Sequence, residues 1–401
     1  MSDLVLISVT GEDKPGITVA IAELLGANGA DILDVGQSVI HNHLALGILA
    51  NVPADSERIF RELLYQSHQL DVSVKFSPVS EASYDEWVGL QGRSRFILTL
   101  LARRIRAAHI AEVSRVIADS GLNIDHIARL SGRVPLKEAP DDSKACVEFS
   151  LRGEPDSQFR ERLLAVCLEL DIDVAVQEDG IYRRNRRLIA FDMDSTLIST
   201  EVIDELAILA GVGDKVATIT QSAMAGELDF KTSLTKRVAL LKGLQEKALA
   251  KVAAKLPLKE GAEELFRTLN HLGYKTAILS GGFEYFGRHL QQALSIDYMH
   301  ANQLELVDGQ LTGKVIEPIV DAEAKARLLR ELAIKENISL AQTIAVGDGA
   351  NDMAMLDAAG LGIAFHAKPL VRETAEHSIS NLGLDSILYL MGIRDRDAVP
   401  H

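Results

Sequence analysis

The sequence predicts an α/β protein with a doubly wound parallel sheet and a helical cap, preceded by two smaller α+β domains of the order βαββαβ. Three observations carry this prediction. From Leu188 onward, apolar strand-like runs alternate with amphipathic helical segments, as in parallel sheets covered on both faces. A purely helical stretch, roughly 201–255, interrupts that alternation and predicts a cap. The first 180 residues carry one pattern of strands and helices twice.

The composition narrows the classes of partner. The chain has 401 residues, enough for two or three domains with substantial cores. Its formal net charge of -15 argues against nucleic acid or an anionic membrane as a partner. The two cysteines form no CxxC pattern, which favours a reducing cytoplasm. No apolar run approaches the ~20 residues of a membrane span, and the N-terminus lacks a secretory pattern. We therefore expect a soluble, cytoplasmic protein.

The first small domain is predicted over residues 1–80. Its expected elements are a strand at 4–9, a helix at 17–28, strands at 32–40 and 44–52, a helix at 58–68 and a strand at 70–76. Gly29 stops the first helix, as glycine commonly does just after a C-cap. This order predicts a small sandwich with helices on one face of an antiparallel sheet.

The second small domain is predicted over residues 93–180, after a linker at 78–92 whose composition suits an exposed connection. A shift of 92 positions superimposes the apolar and glycine positions of the two domains. Leu4, Leu6, Ile21, Leu24, Leu25, Gly29 and Ile32 fall on Phe96, Leu98, Val113, Val116, Ile117, Gly121 and Ile124. The N-terminal half is therefore interpreted as a repeat.

The repeats resemble ACT domains, which implies amino-acid binding, regulation and assembly across a homodimer interface. The first copy has the expected strand-to-helix loop, Asp13-Lys14-Pro15-Gly16-Ile17, with Asp13 and Gly16 as residues of a regulatory site for a serine effector. A plain tight turn before a helix is the alternative. The second copy has Ile105 and Ala108 at the corresponding positions, so a purely structural role is open to it. Four histidines without metal-ligand spacing are expected to be surface or pairing residues: His41, His43, His109 and His126.

In the C-terminal half, three strand-like segments end in polar clusters. The clusters are Asp192 and Asp194, then Ser280 and Gly281, then Asp348, Asn351 and Asp352. Since parallel strands bring their carboxyl ends to one edge of a sheet, we expect these clusters to converge. Four carboxylates in one cleft need a cation, and an all-oxygen set suits Mg²⁺ better than zinc. The prediction is a Mg²⁺ site that receives a phosphorylated substrate. Taken alone, the first cluster is equally typical of a turn that caps the next helix.

The same clusters resemble the four motifs of the haloacid dehalogenase superfamily. The motifs are Asp192-Met193-Asp194-Ser195-Thr196, Ser280-Gly281-Gly282, Lys325, and the stretch from Gly347 to Asp352. Within the superfamily, residues 187–393 are most similar to phosphoserine phosphatases. The resemblance implies Mg²⁺-dependent hydrolysis of O-phospho-L-serine through an aspartyl phosphate, the last step of serine biosynthesis.

The resemblance also implies a role for each motif residue. Asp192 would be the nucleophile and Asp194 the proton carrier. The metal would be held by Asp192, the backbone carbonyl of Asp194 and Asp348, with Asp352 beside or behind these ligands. The implied phosphate-binding residues are Ser280, Gly281, Lys325 and Asn351.

Substrate choice is assigned to the cap, again by resemblance. Glu201 would accept the substrate ammonium, Arg237 would bind its carboxylate, and Met224 and Phe230 would close over it. Their alternatives are a helix N-terminal acid, a surface ion pair and cap core, respectively. Two further functions stay open: a phosphatase of the same superfamily acting on another small phosphate, and an amino-acid-sensing regulatory protein.

Overall fold

The computed structural model describes residues 3–53, 56–135 and 143–398. The chain divides into two compact units, Met1–Arg93 and Ser94–His401. The first unit contains these elements: β1 (Asp3–Glu12), α1 (Ile17–Ala27), β2 (Asp31–Ile40), β3 (His43–Val52), α2 (Ser56–Gln69), β4 (Val72–Val79) and α3 (Glu81–Gly89). Its four strands form an antiparallel sheet in the order β2-β3-β1-β4, as the predicted sandwich requires.

The second unit begins with the second repeat. Its elements are β5 (Arg95–Ala102), α4 (Ala107–Asp119), β6 (Asn123–Arg129), β7 (Ala145–Arg152), α5 (Phe159–Leu170) and β8 (Asp173–Glu178). The sheet order β6-β7-β5-β8 reproduces that of the first repeat. The helix ends match as well: Ala30 N–H donates to Leu25 O, and Leu122 N–H, 92 positions later, donates to Ile117 O, each at 3.1 Å. The predicted repeat is confirmed.

The rest of the second unit is the predicted doubly wound domain with its cap. Its elements are β9 (Leu188–Phe191), α6 (Val202–Leu209), α7 (Gly213–Met224), α8 (Phe230–Ala239), α9 (Glu246–Ala253), α10 (Ala262–His271), β10 (Lys275–Phe283), α11 (Glu284–Leu294), β11 (Tyr298–Val307), β12 (Gln310–Ile316), α12 (Ala322–Lys335), β13 (Thr343–Gly347), α13 (Met353–Ala358), β14 (Leu361–Phe365), α14 (Pro369–Thr374), β15 (His377–Ile379) and α15 (Ile387–Leu390). The seven strands follow the order β12-β11-β10-β9-β13-β14-β15, and all neighbours are parallel except β11 and β12.

At strand β9 the order in which successive strands are added to the sheet reverses. The strands β10 and β11 follow it to one side, and β13, β14 and β15 to the other. Every residue of β9 and β13 is buried, as expected for strands covered on both faces. In such sheets the crevice beyond the carboxyl end of the switch-point strand is the place for a ligand. The chain order thus selects the edge at which β9 ends.

Helices α6 to α9 form the cap, joined to the sheet domain by two adjacent strands of chain. Ile198 and Leu258 form an isolated antiparallel bridge there. Ser199 N–H donates to Pro257 O at 3.0 Å, and Lys259 N–H donates to Leu197 O at 2.9 Å. The four helices, from Val202 to Ala253, lie within the stretch predicted as a helical insertion, 201–255.

The second repeat packs directly on the doubly wound sheet domain. Lys144, on the repeat, pairs with Asp385, whose side chain is 6% exposed, and with Glu264. Arg103 donates to both carboxylate oxygens of Glu260, at 2.6 and 2.7 Å. One apolar core extends from the repeat into the sheet domain, with contributions from Leu101, Leu130, Cys146 and Ala175 of the repeat. The two predicted domains therefore form a single folded unit.

Two expectations of local structure differ from what the structure shows. The linker at 78–92 is exposed as predicted, but it contains helix α3, which begins where Ser83 N–H donates to the Ser80 hydroxyl at 3.2 Å. His109 is 5% exposed, not a surface residue, and its Nδ1 accepts a hydrogen bond from Arg106 N–H at 3.3 Å. It caps α4 from within the core, and burial lowers the pKa of its imidazole. Within the described ranges, no helix is long and apolar enough to cross a membrane.

Candidate active site

The carboxyl ends of β9, β10 and β13 bring the three predicted polar clusters together. Asp192 follows directly on β9, and its N–H donates to Val346 O of β13 at 2.9 Å. Ser280 lies in β10 on the other side of β9, and Asp348 follows β13. These residues line one cleft of about 540 Å³. The other predicted residues in its lining are Asp194, Glu201, Phe230, Arg237, Gly281 and Asn351.

The turn after β9 orients its side chains by local hydrogen bonds. Ser195 has a positive φ of 59°, which reverses the chain within the motif. The Ser195 hydroxyl donates to Glu201 Oε1 at 2.8 Å, and the Thr196 hydroxyl donates to Asp348 Oδ1 at 3.3 Å. Val202 N–H, at the start of α6, donates to Asp194 Oδ1 at 2.9 Å. Asp194 thus binds the first turn of α6 and also faces the cleft. The motif is therefore both a turn that caps a helix and part of the candidate active site, the two alternatives that the sequence left open.

Lys325 is buried beneath the cleft between two carboxylates. Its ammonium lies 2.9 Å from Asp192 Oδ1 and 2.6 Å from Asp352 Oδ1, and its side chain is 1% exposed. Burial acts to lower the pKa of Lys325, but the two carboxylates outweigh it and the pKa is raised. Lys325 is therefore charged, and its contact with Oδ1 orients the carboxylate of Asp192. Lys325 was expected to bind a phosphate oxygen, but here its ammonium contacts Asp192 and Asp352 and the residue does not line the cleft, so the phosphate contact stays a prediction.

Carboxylate oxygens of Asp192, Asp348 and Asp352 all lie within 4.8 Å of one another. Burial, and then the charge of Asp192, raises the pKa of Asp348 to about 7. The pKa of Asp352 is raised to about 6, chiefly by burial and against the effect of Lys325. A second cation would relieve this crowding, and an all-oxygen donor set fits Mg²⁺.

Asp352 is the most heavily engaged of the three carboxylates. Besides Lys325, its Oδ2 accepts N–H bonds from Asp348 at 3.1 Å and Gly349 at 3.0 Å. The oxygens of Asp192 and Asp348 are consequently more available to a metal. This agrees with the expectation that Asp352 supports the direct ligands.

Asp194 lies in surroundings that favour its protonated form. Its side chain is buried, and burial followed by the charge of Glu201 raises its pKa well above the usual range. Gly282 runs directly beside the second carboxylate oxygen, so that a Cβ there would collide with Asp194. A carboxyl group held in this state is able to donate a proton to a leaving group in the cleft.

Sequence reasoning missed Asn302, which holds the loop after β10. The Asn302 side chain is fully buried, donates to Gly281 O at 2.8 Å and accepts from Val320 N–H at 2.7 Å. Within the loop, Gly282 N–H donates to the Ser280 hydroxyl at 3.0 Å. In the sequence, the sign of this role is an amide side chain within an otherwise strand-like segment. Only the pairing of β11 with β10 shows that Asn302 lies beside the loop.

The cap supplies the outer wall of the cleft. A Cβ on Gly281 would lie 2.9 Å from Cζ of Phe230, so the aromatic ring packs directly over this backbone. The Nε of Arg237 is buried and has no hydrogen-bond partner among the described residues. Burial lowers the pKa of Arg237, while Glu201 acts to raise it. The side chain of the predicted Met224 lies outside the described part of the structure.

Thr220 is a second residue of the cleft that sequence reasoning missed. Its hydroxyl is buried without a hydrogen-bond partner in the described structure, and the residue lines the cleft. Its position one helical turn before Met224 was the available signal. The cleft is also lined by Asp204 and Lys368.

The predicted regulatory residues belong to the first unit. Gly16 has a φ of 96°, a left-handed conformation that favours glycine, and it immediately precedes α1. A Cβ on Gly16 would meet no atom within 4 Å, so the position is open. Asp13 is exposed, and its N–H donates to Asn42 O at 2.8 Å.

Two family models match the chain. A haloacid dehalogenase-like hydrolase model matches residues 186–360, and an ACT domain model matches residues 3–77. A phosphoserine phosphatase of Streptomyces coelicolor is 41% identical over 391 residues, covering 97% of this chain and 92% of the relative. One of Mycobacterium tuberculosis is 41% identical over 396 residues, covering 97% and 93%.

A solved structure agrees with this match. The unliganded crystal structure of a probable phosphoserine phosphatase from Vibrio cholerae superimposes with a TM-score of 0.60 at 35% identity, covering 76% of this chain and 88% of the other. The similarity to the two full-length relatives extends over both repeats and the catalytic half. The chain is thus a phosphatase that belongs to the phosphoserine phosphatase family, of the SerB type, within the haloacid dehalogenase-like hydrolases that carry ACT domains.

Proposed function

We propose that this enzyme hydrolyses O-phospho-L-serine to L-serine and phosphate through an aspartyl phosphate on Asp192, as the last step of serine biosynthesis. The observation that carries the proposal is that Glu201 and Arg237 line the same cleft as Asp192 and Asp194. A carboxylate and a guanidinium in one cleft complement the ammonium and carboxylate of a free amino acid. The names of the full-length relatives support the same substrate.

Asp192 attacks the phosphorus atom, and Lys325 holds that carboxylate in place from below. The ammonium of Lys325 lies 2.9 Å from Oδ1 of Asp192, and its positive charge reduces the repulsion between this carboxylate and the incoming phosphate. The bond from phosphorus to the serine oxygen breaks as the bond to Asp192 forms. Ser280, the Gly281 N–H and Asn351 bind the oxygens of the transferred group.

Asp194 gives a proton to the departing serine oxygen and afterwards takes one from the water that hydrolyses the intermediate. The raised pKa of Asp194 supports the first role, because an ionised carboxylate has no proton to give. Departure of the proton leaves the carboxylate that the second step needs. Its hydrogen bond from Val202 N–H keeps one oxygen fixed throughout.

Mg²⁺ would be held by Asp192, Asp348 and the backbone carbonyl of Asp194, with Asp352 in support. When bound, it would neutralise phosphate charge that otherwise repels the nucleophile. The raised pKa values of Asp348 and Asp352 support a cation at this place. Phosphate release is expected to stop when a chelator removes the metal, and to return on addition of Mg²⁺.

For the first unit we propose assembly into a homodimer and binding of serine as an effector. Strand β2 is an edge strand of ten residues, all exposed, and apolar side chains such as Val35 and Ile40 are 56% and 77% exposed. Such an edge favours pairing with another chain. The open, left-handed Gly16 supports an effector at the β1–α1 loop. The free, buried Cys146 and Cys167 support a cytoplasmic location.

The test compares phosphate release from O-phospho-L-serine, phosphohomoserine and a sugar phosphate in the presence of Mg²⁺. We expect phosphoserine to have the highest kcat/KM. Arg237→Met should raise its KM at least tenfold, whereas Lys236→Met, on the exposed neighbouring residue, should leave it unchanged. Equal kcat/KM for all three substrates would contradict the proposed specificity, and phosphate release by Asp192→Asn would contradict the covalent mechanism.

The effector proposal has its own control. Serine should inhibit the wild-type enzyme, and Gly16→Ala should weaken that inhibition because alanine is strained at a φ of 96°. Gly26→Ala is the matched control, because Gly26 lies in α1 and an added Cβ would meet nothing within 4 Å, and this variant should keep the inhibition by serine. Unchanged inhibition in Gly16→Ala would leave this loop without the proposed role.

A further inference from the structure

A second cavity lies between the second repeat and the phosphatase domain, within the second unit. Its volume is about 310 Å³, at the lower end of the range for small-molecule sites. The repeat supplies an apolar wall from β5, α5 and β8: Phe96, Phe159, Leu163, Leu164, Val174 and Val176. The cavity lies away from the strand-to-helix loop of this repeat, where Ile105 and Ala108 are found.

Two residues of opposite charge in the lining of the cavity, Asp173 and Arg372, lie close together without a hydrogen bond between them. Asp173 is 2% exposed, and its Oδ2 accepts N–H bonds from Ser380 at 2.8 Å and Asn381 at 2.9 Å. Its Oδ1 faces Arg372 Nη2 at 3.9 Å, which is beyond hydrogen-bond distance. The carboxylate therefore has an oxygen available, and the guanidinium has donors available, at the same end of the cavity.

Helix α14 and the residues that flank it contribute both to this cavity and to the active-site cleft. Lys368 and Val371 line the cleft that contains Asp192. Arg372 and Ala375 line the cavity. Val371 and Arg372 are consecutive residues of this six-residue helix, so a displacement of the helix would change both walls. A ligand that engages Arg372 would therefore act on the wall of the catalytic cleft.

We propose that this cavity binds a free α-amino acid with an apolar side chain, and that its occupancy changes catalysis through α14. The ligand carboxylate would pair with the guanidinium of Arg372, for which a planar fork is well suited. The ligand ammonium would donate to Asp173 Oδ1, and the side chain would lie against the apolar wall. A ligand lacking either charge leaves the buried Asp173 or the partly buried Arg372 without the added partner, which makes the zwitterion the preferred form.

Titration calorimetry on the full-length protein tests the site, with L-phenylalanine as the probe. We expect one binding event per chain, and at least tenfold weaker binding of both phenylacetate and L-phenylalanine amide, since the first lacks the ammonium and the second the carboxylate. This comparison uses only the wild-type protein. Absence of L-phenylalanine binding at 10 mM, or equal affinity for the three compounds, would overturn the proposal.

Variants locate the site. Arg372→Met should weaken L-phenylalanine binding at least tenfold, and Leu164→Trp should abolish it by filling the cavity. Leu168→Trp is the matched control, because Leu168 is on the same helix but 59% exposed, and it should bind normally. Wild-type affinity in both Arg372→Met and Leu164→Trp would place the site elsewhere and overturn the assignment.

Coupling is measured with p-nitrophenyl phosphate, so that its outcome does not depend on the proposed phosphoserine specificity. Saturating L-phenylalanine should change kcat or KM at least twofold in the wild-type enzyme and in Leu168→Trp. Leu164→Trp should not respond. Identical kinetics with and without the amino acid, at a concentration that calorimetry shows to be saturating, would refute transmission through α14.

Discussion

Replacing Gly282 by alanine should displace the proton carrier without touching the nucleophile. A Cβ at Gly282 would collide with Oδ2 of Asp194 and lie 2.6 Å from Cε of Met193. An ordinary carbon–carbon contact is about 3.5 Å, so the neighbouring groups must move by about 1 Å. A misplacement of about 1 Å costs roughly 100-fold in rate, or about 2.7 kcal/mol of transition-state stabilisation.

Gly281→Ala gives a comparison one residue away. Its Cβ would meet Cζ of Phe230 at 2.9 Å, the far end of an aromatic side chain on the cap. Phe230 belongs to the wall that closes over the substrate, so this variant should mainly raise KM, whereas Gly282→Ala should mainly lower kcat. The two neighbouring substitutions would thus separate cap closure from proton transfer.

The assay is steady-state phosphate release from O-phospho-L-serine at saturating Mg²⁺, with thermal unfolding to show that each variant is folded. Gly180→Ala serves as the control, because a Cβ at Gly180 meets nothing within 4 Å and its φ is not positive. A folded Gly282→Ala with wild-type kcat would refute the placement of Asp194 as proton carrier. A 100-fold loss of kcat in Gly281→Ala as well would refute the separation.

Three further outcomes follow from buried polar contacts. Asn302→Leu removes the hydrogen bonds to Gly281 O and Val320 N–H. This variant should lower kcat/KM about tenfold and the free energy of unfolding in urea by about 2 kcal/mol. Unchanged values of both would contradict a positioning role for Asn302. Lys144→Met leaves Asp385 buried without its ion pair and should lower the free energy of unfolding in urea by about 3 kcal/mol. The double variant Lys144→Met with Asp385→Asn should recover part of this loss. A loss below about 0.5 kcal/mol would count against this contact as a link between the domains. Burial, and then the charges of Arg160 and Arg186, lower the pKa of His377 from 6.5 to about 4, so the neutral imidazole contributes stability above pH 6.5 that is lost as the pH falls towards 4. Over that interval the free energy of unfolding of the wild type should fall by about 3 kcal/mol more than that of His377→Gln. Parallel pH profiles of the two proteins would refute this.

Local sequence signals were sufficient for the strands that position the site. The runs before Asp192, Ser280 and Asp348 are short, apolar and bounded by polar residues, and each forms the expected strand. The glycines at the helix ends, Gly29 and Gly121, have the left-handed φ that their place in the repeat implied. These features depend on a few neighbouring residues, so they are visible in the chain itself.

Where local signals were weak or ambiguous, prediction failed. The segment 78–92 has the composition of a loop, yet Ser80 caps a helix there. His109 was predicted to be a surface or pairing residue because a lone histidine carries no sign of its environment, and only the packing of α4 against its sheet buries it. For the same reason, no pattern identified β15, whose three residues become a strand only beside β14.

By itself, the sequence determined the repeat, the cap and the order of the catalytic motifs, because strand and helix periodicity and turn residues act over short distances along the chain. Only the tertiary structure decided which distant groups meet. It brought Asn302 under Gly281, enclosed Lys325 between Asp192 and Asp352, and joined the second repeat to the phosphatase domain. Such contacts depend on how sheets and helices pack, and each joins residues that are far apart in sequence. The cavity between the repeat and α14 is a product of that packing.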